Sequence, residues 1–392
     1  MKEHELIWAS SDHPTTACGA APRSDHSRWE ALGFAESSLD GNNFSTTFAE
    51  HFDMLVEHKL TAVRLTIDWA RVEPFPGRAD HGALERLEEI YHAANERNLA
   101  VWTTLHHGSL PGWFSEDTDG FATTNGPSLH WSRHIEAMAE RFDPLTHLWA
   151  PVDDPLGWAV RGYHLGTHPP GKHSLPTDNG ALIDALVGAL DATFESHRIL
   201  RAGDTPVAGI FRPPIVRAGI DAQGNRCDDE RAFWDDVLWS SWIYAIRDGE
   251  LEWPGRARRQ QPHTADAFDY LIIGSSGVVV AGAEGRLTTG EEHTTDSLLE
   301  TLHRTSELLP KHDLIVGGFG GGRGDETSQM GVIESQLVQV GQTLDDGLPI
   351  RGVMLEPLSD GYDPTTGRWE TGGLFTLDRE EKPTFRLIDA QR

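Results

Sequence analysis

Acidic side chains directly follow several short apolar segments of the sequence. Asp153 and Asp154 follow the segment 147–152, and Glu356 follows the segment 352–355. Paired carboxyl groups can perform general acid–base chemistry, because a neighbouring negative charge raises the pKa of one of them towards that of a proton donor. A structural interpretation of Asp153 stays equally open, in which its side chain only accepts hydrogen bonds from nearby backbone amides.

A glycine-rich stretch, DLIVGGFGGG at 313–322, follows another apolar segment. Glycine-rich loops after strands often bind phosphate, but such a loop needs a G-x-x-x-x-G-K-S/T pattern. No lysine follows these glycines. The stretch therefore does not predict a phosphate site.

Short apolar segments alternate with longer amphipathic segments along the chain. Each short segment is bounded by Gly, Pro or polar residues and predicts a strand. The predicted strands are 6–9, 62–67, 100–105, 147–152, 207–211, 270–274, 313–316 and 352–355. Helical patterns lie between them, for example at 48–59, 82–98 and 332–347. In the first of these, Phe48, Phe52, Leu55 and Val56 fall on one face. The alternation predicts an α/β fold, a single (β/α)8 TIM barrel over residues 1–392 with loop insertions.

The chemistry of a TIM barrel lies at the carboxyl ends of its strands. The residues that follow the predicted strands are therefore the candidates for a site. They are residues 10–16, 68–71, 106–107, 153–154, 275–276, 317–318 and 356–360.

Four motifs in collinear order resemble glycoside hydrolase family 1, the β-glucosidase-like retaining glycosidases. They are AVRLTIDWARVEP (62–74), VWTTLHHGSLPGWF (101–114), HLWAPVDDPLGWAVRGYHLGTHPPG (147–171) and GLPIRGVMLEPLSDGYDPTTGRWETGGLFTLD (347–378). The resemblance covers essentially the whole chain and implies a barrel that acts on glycosides.

The resemblance also implies roles for individual residues. It places the acid/base at Asp154, one methylene shorter than the glutamate of the family, and the nucleophile at Gly317, which has no side chain. It retains Arg64, whose usual partner is the nucleophilic glutamate of the family, together with His107 at the sugar-binding histidine and Trp149.

Most of the family's sugar-binding positions are altered in this sequence. By resemblance, Thr16 replaces a glutamine, Ser275 falls at an orienting tyrosine, Glu356 replaces a tryptophan and Asp363 replaces a glutamate. Asp360 and Asp363 are predicted rim ligands, although a turn containing Gly361 would select the same residue types. His107 is predicted to contact substrate, and the alternative is a pocket histidine whose hydrogen bonds are all made within the protein. Trp149 is also predicted to contact substrate, and the alternative is a packing role.

A glycine at position 317 prevents the usual double displacement, which needs two carboxyl groups about 5 Å apart. The hypothesis is an inverting enzyme with Asp154 as acid, Glu356 as base and Arg64 supplying the electrostatics, with a water standing at Gly317. The alternatives are a compensating Glu356–Arg64 ion pair in a non-catalytic carbohydrate-binding protein, or a non-hydrolytic natural-product enzyme.

The amino-acid composition and charge limit the classes of molecule that this protein is expected to bind. A formal net charge of -28 over 392 residues would repel nucleic acid and anionic membrane. No segment approaches the roughly 20 apolar residues that span a bilayer, and the N-terminus lacks an apolar signal core. Two cysteines and scattered histidines predict no metal site, and no cofactor is expected. We therefore expect a cytoplasmic protein whose partner is a glycoside-like small molecule. The oligomeric state is open.

Overall fold

Eight parallel strands form the central sheet, which confirms the predicted (β/α)8 TIM barrel. The structure is a computed structural model that describes residues 6–122, 129–174, 179–289, 296–322 and 324–391. The barrel strands, β1 to β8, are Ile7–Ser11, Ala62–Thr66, Ala100–Thr104, Leu148–Trp149, Ala208–Phe211, Tyr270–Ile273, Asp313–Phe319 and Ile350–Leu355. Each lies within about four residues of its predicted bounds.

The strands follow one another around the barrel in chain order. Strand β1 pairs with β2 on one side and with β8 on the other, since Ser10 is aligned with both Val63 and Leu355. Between β4 and β5 the ladder is reduced to single parallel bridges, Trp149 with Val207 and Asp153 with Ile210. These bridges bring the two ends of the sheet together.

Helices cover the outside of the barrel. The helices that follow β1 to β8, named α1 to α8, are Phe44–Glu57, His81–Glu96, Leu129–Phe142, Gly180–Leu200, the pair Asp228–Asp235 and Ser241–Asp248, Ser297–Leu308, Glu326–Asp345 and Pro383–Asp389. In α1 the predicted apolar face is correct for Phe52 and Leu55, which are buried, but Val56 is 45% exposed. Val56 follows Leu55 directly, so the 100° helical step turns it away from the barrel.

The loop insertions carry further short elements. Helices Pro14–Cys18 and Asp25–Ala31 follow β1, and helix Pro155–Tyr163 follows β4. Strands Gly361–Asp363 and Arg368–Glu370 form a hairpin after β8. Every helix in the described ranges is too short or too polar to cross a lipid bilayer.

Alternation along the strands decides which side chains point into the barrel. One buried cluster takes at least one residue from every strand and therefore fills the barrel interior: Ala9, Ala62, Trp102, Leu148, Ala150, Ala208, Ile210, Ile272, Ile315 and Met354. Their direct neighbours along the strands, such as Val63, Trp149 and Val316, belong to the outer layer that packs against the helices. The next inward positions towards the carboxyl ends are therefore Ser11, Arg64, Thr104, Arg212, Gly274, Gly317 and Glu356.

Candidate active site

A cavity of about 360 Å³ opens at the carboxyl end of the barrel. It lies directly above the inward positions that follow the packed interior. The predicted site residues that line it are Thr16, His107, Asp153, Asp154, Ser275, Gly317, Glu356 and Asp363. Eight positions that are scattered over 348 residues of sequence are thus brought to one cavity.

Glu356 is held from two sides by guanidinium groups. Arg64 on β2 donates from Nη2 to Oε1 at 2.7 Å, and Arg212 after β5 donates from Nη2 to Oε2 at 2.5 Å. The Ser11 hydroxyl lies 3.5 Å from Oε1, and Arg64 Nε donates to that hydroxyl at 2.8 Å. The ion pair between Glu356 and Arg64 that the sequence suggested is present, and Arg212 completes it.

Asp153 binds the same two cations. Its Oδ2 accepts from Arg64 Nη1 and from Arg212 Nη2, the latter at 3.0 Å. Burial alone would raise the pKa of Asp153, but the charges of Arg212 and Arg64 hold that pKa well below its ordinary value. Asp153 is therefore an anion at neutral pH and is not a proton donor.

Asp154 has a different environment from its neighbour. It caps helix Pro155–Tyr163 with φ of 42°, and its Oδ1 accepts from the Gly157 amide at 3.2 Å. Its Oδ2 lies 3.2 Å from Arg161 Nη1. Burial raises the pKa of Asp154 above its ordinary value, although the charges of Arg161 and Arg212 oppose the rise. The two adjacent acids therefore separate in the direction that suits Asp154 as the proton donor.

His107 lies between the two anions. Its Nε2 is 3.5 Å from Asp153 Oδ2 and 3.5 Å from Glu356 Oε1. Burial lowers the pKa of His107 well below its ordinary value, so the imidazole is neutral at pH 7. The three side chains come within 4.8 Å of one another, a spacing that a metal ion could use. The guanidinium groups of Arg64 and Arg212 already bind both carboxylates, and they would repel a divalent cation.

Gly317 presents only backbone to the cavity. Its position points inward, two residues beyond Ile315, and a β-carbon there would lie 2.9 Å from Ile272 Cγ2. Gly318 has φ of 65°, a left-handed conformation that favours glycine. The interior of the barrel is thus packed against the place where a side chain at 317 would begin.

Two predicted ligand-contacting residues lie away from the cavity. Trp149 points outward from β4, is fully buried, and donates from Nε1 to Asp143 Oδ1 at 2.8 Å. The prediction that it contacts substrate is corrected by strand alternation, because Leu148 and Ala150 take the inward positions. Asp360 accepts from the Gly373 amide at 2.9 Å and from Lys382 Nζ at 3.0 Å, so it stabilises the loop after β8.

Three further predicted residues line the cavity but already have backbone partners. Thr16 Oγ1 donates to the Tyr362 carbonyl at 2.5 Å. Ser275 Oγ accepts from the Gly277 amide at 3.2 Å, and Asp363 Oδ1 accepts from the Thr365 amide at 2.7 Å. Each can offer a ligand only its remaining hydrogen-bonding capacity.

Arg212 was not predicted as a site residue. The predicted site takes residues from other strand ends, such as 153–154 and 275–276, but none from the end of the predicted strand 207–211. The signal was available, because Arg212 is two residues beyond Ile210 and alternation makes it the next inward position on β5.

Comparison with known proteins supports the architecture. The Glycosyl hydrolase family 1 model matches residues 36–199. The chain is 22% identical over 406 residues to 6-phospho-beta-galactosidase 1 of Streptococcus pneumoniae, covering 88% of this chain and 86% of that protein. The beta-glycosidase from Pyrococcus horikoshii superimposes with a TM-score of 0.83 at 18% identity, covering 100% of this chain and 94% of the other.

This chain resembles the family 1 glycosidases in sequence and shares their fold.

Two further relatives align only with part of their length. Beta-glucosidase 1B of Phanerodontia chrysosporium is 25% identical over 146 residues, and beta-glucosidase 26 of Arabidopsis thaliana is 27% identical over 172 residues. The aligned parts cover 35% and 42% of this chain, and 27% and 30% of those relatives.

Proposed function

We propose that this family 1-like protein takes a glycoside, or a related polar small molecule, into the cavity at the barrel mouth and does not process it through a covalent glycosyl-enzyme. The named relatives are glucosidases and a phosphogalactosidase, which supports a glycoside as the ligand. The cavity volume of about 360 Å³ is within the range of small-molecule sites.

The observation that carries the proposal is the glycine at 317. Retaining glycosidases need a carboxylate that attacks the anomeric carbon. By resemblance that carboxylate belongs at 317, where this chain has only backbone next to Ile272. A covalent intermediate at this position is chemically impossible.

The reaction that best uses the remaining groups is hydrolysis with inversion. Asp154 donates its carboxyl proton to the glycosidic oxygen as the bond from that oxygen to the anomeric carbon breaks. Glu356 accepts a proton from a water whose oxygen attacks the anomeric carbon from the opposite face. The proton gained by Glu356 returns to Asp154 through solvent, and the new hydroxyl has the inverted configuration.

A specific observation favours a second candidate, binding without chemistry. Both oxygens of Glu356 accept hydrogen bonds from guanidinium groups, and Asp153 binds the same cations. These charge-assisted hydrogen bonds hold both oxygens of Glu356 as ion-pair partners of the two arginines. A pocket with charges balanced in this way can bind and orient sugar hydroxyls without catalysing a reaction of the ligand.

Turnover of a panel of aryl β-glycosides separates the two candidates. We expect release of the aryl group by the wild-type protein and its loss in Asp154→Asn and Glu356→Gln, with the α-anomer as the first product in NMR spectra. Asp235→Asn, which alters an ion pair with Arg304 outside the cavity, is the matched control. A β-anomer product would contradict inversion, and equal turnover by all variants would contradict the assigned roles.

Without any turnover, a rise in melting temperature with the same glycosides would favour the binding protein. Neither turnover nor a thermal shift with any glycoside would overturn the proposed function.

A further inference from the structure

Arg212 reaches Glu356 across two strands that carry glycine at their inward positions. Strands β5, β6, β7 and β8 are consecutive neighbours in the barrel. Their inward positions at the cavity floor are Arg212, Gly274, Gly317 and Glu356. The side chain that starts on β5 therefore passes over β6 and β7 before its guanidinium meets the acid on β8.

The glycines leave the space that this path requires. A β-carbon on Gly274 would lie 3.3 Å from Arg212 Cγ and 2.9 Å from the Gly317 carbonyl oxygen. A β-carbon on Gly318 would lie 3.5 Å from Arg212 Nη1. Larger side chains at these positions would occupy the volume that Arg212 fills.

The four charged groups form a closed set. Arg64 and Arg212 each bind both Asp153 and Glu356, so that each carboxylate lies between two guanidinium groups. Arg64 alone holds only Oε1 of Glu356. Without Arg212 two carboxylates would share one cation, and their repulsion would favour protonation or displacement of one of them.

We propose that Arg212 is a positioning residue for Glu356, and that it replaces the side chains lost from β6 and β7. It holds the carboxylate of Glu356 at the cavity. Glu356 on β8 can then pair with Arg64, as an acid on β7 does by resemblance in the family. This inference rests on the proposed function, because positioning matters only if Glu356 meets a ligand.

The test compares Arg212→Ala and Arg212→Lys with the wild-type protein on the aryl β-glycosides. We expect kcat to fall about 10- to 100-fold in Arg212→Ala with a smaller change in KM, which is the range for loss of an orienting partner. Guanidinium ion at millimolar concentration should restore part of the rate, because it can occupy the vacated space.

Two further variants keep the test decisive. Gly274→Ala retains Arg212 but crowds both the Gly317 carbonyl oxygen and Arg212 Cγ, and it should lower kcat in the same direction. Gly282→Ala is the control, since the nearest atom to its β-carbon is 3.9 Å away. Circular dichroism and melting temperature establish that each variant is folded, and Arg212→Lys, which retains one charge, takes the place of Arg212→Ala if the latter does not fold.

The possible outcomes distinguish a failure of the role proposed for Arg212 from a failure of the proposed function. The role of Arg212 would be overturned if Arg212→Ala turned over or bound the glycosides as well as the wild type does. It would also be overturned if guanidinium ion did not restore the lost rate. Either result would leave the proposed function intact. If the wild-type protein binds without turnover, the thermal shift with the aryl β-glycosides replaces kcat as the readout. A wild-type protein that neither turns over nor binds overturns the proposed function and this inference with it.

Discussion

Arg64 and Glu356 are 292 residues apart in the chain and meet across the barrel mouth at 2.7 Å. By resemblance Arg64 would face an acid on β7, whereas in this structure it binds Glu356 on β8. Arg64 also binds Asp153, so the buried guanidinium has two carboxylate partners, and an unpaired charge at this depth would be costly.

Removing Arg64 should destabilise the protein strongly. In Arg64→Met the carboxylates Asp153 and Glu356 would share Arg212 alone, and we expect a loss of about 3–5 kcal/mol in the free energy of unfolding. Urea unfolding measures it. Arg217→Met, which breaks an exposed pair with Glu300, should cost about 1 kcal/mol or less. Equal losses in the two variants would show that the closed set of charges contributes little.

The pH dependence of turnover should follow Asp154. The acid must be protonated to act, and burial raises its pKa above the ordinary value of 3.8. Turnover should therefore decline as pH rises through the raised pKa of Asp154. Asp154→Asn keeps the helix cap, because Asn is a good capping residue that tolerates a positive φ. It should abolish that basic limb together with most of the rate, and a basic limb that survived in Asp154→Asn would assign the proton to another group.

Asp12 should make stability depend on pH through the loop that carries the acid on β8. Its Oδ1 accepts from the amides of Leu358 and Ser359, and burial raises its pKa to about 7. A raised pKa stabilises the fold below pH 3.8, and that contribution is lost as pH rises towards 7. Asp12→Asn should therefore flatten the fall in melting temperature between about pH 4 and 7. Parallel curves for the variant and the wild type would contradict the raised pKa.

Adding a side chain at 317 should not be tolerated. In Gly317→Ala the β-carbon would lie 2.9 Å from Ile272 Cγ2, and overpacking of this kind costs about 1–3 kcal/mol. Gly331→Ala is the matched control in α7, where nothing lies within 4 Å, and it should stabilise by about 0.5–1 kcal/mol. Melting temperatures compare them, and a second substitution, Ile272→Ala, should relieve part of the strain at 317. A stable Gly317→Ala protein would mean that the barrel still has room for the lost acid.

The strands of the barrel were predicted well because each strand is specified by the pattern of neighbouring residues in the sequence. Strands such as Ala62–Thr66 and Ala100–Thr104 lie within two residues of the predicted segments, since a short apolar segment between polar boundaries has few other ways to be buried. The family motifs led to the same cavity for His107 and Asp154. They failed for Trp149, because a motif records that a residue recurs and does not record which face of the strand it occupies.

Sequence alone determined the fold, the order of the strands and the absence of a carboxylate at 317, because a missing side chain needs no coordinates to be recognised. The tertiary structure decided which groups compensate for that absence. Arg212 meets Glu356 only after β5 to β8 are placed side by side with glycine on the two strands between them. Contacts between residues 144 positions apart depend on the closed barrel, and so do the opposite pKa shifts of Asp153 and Asp154.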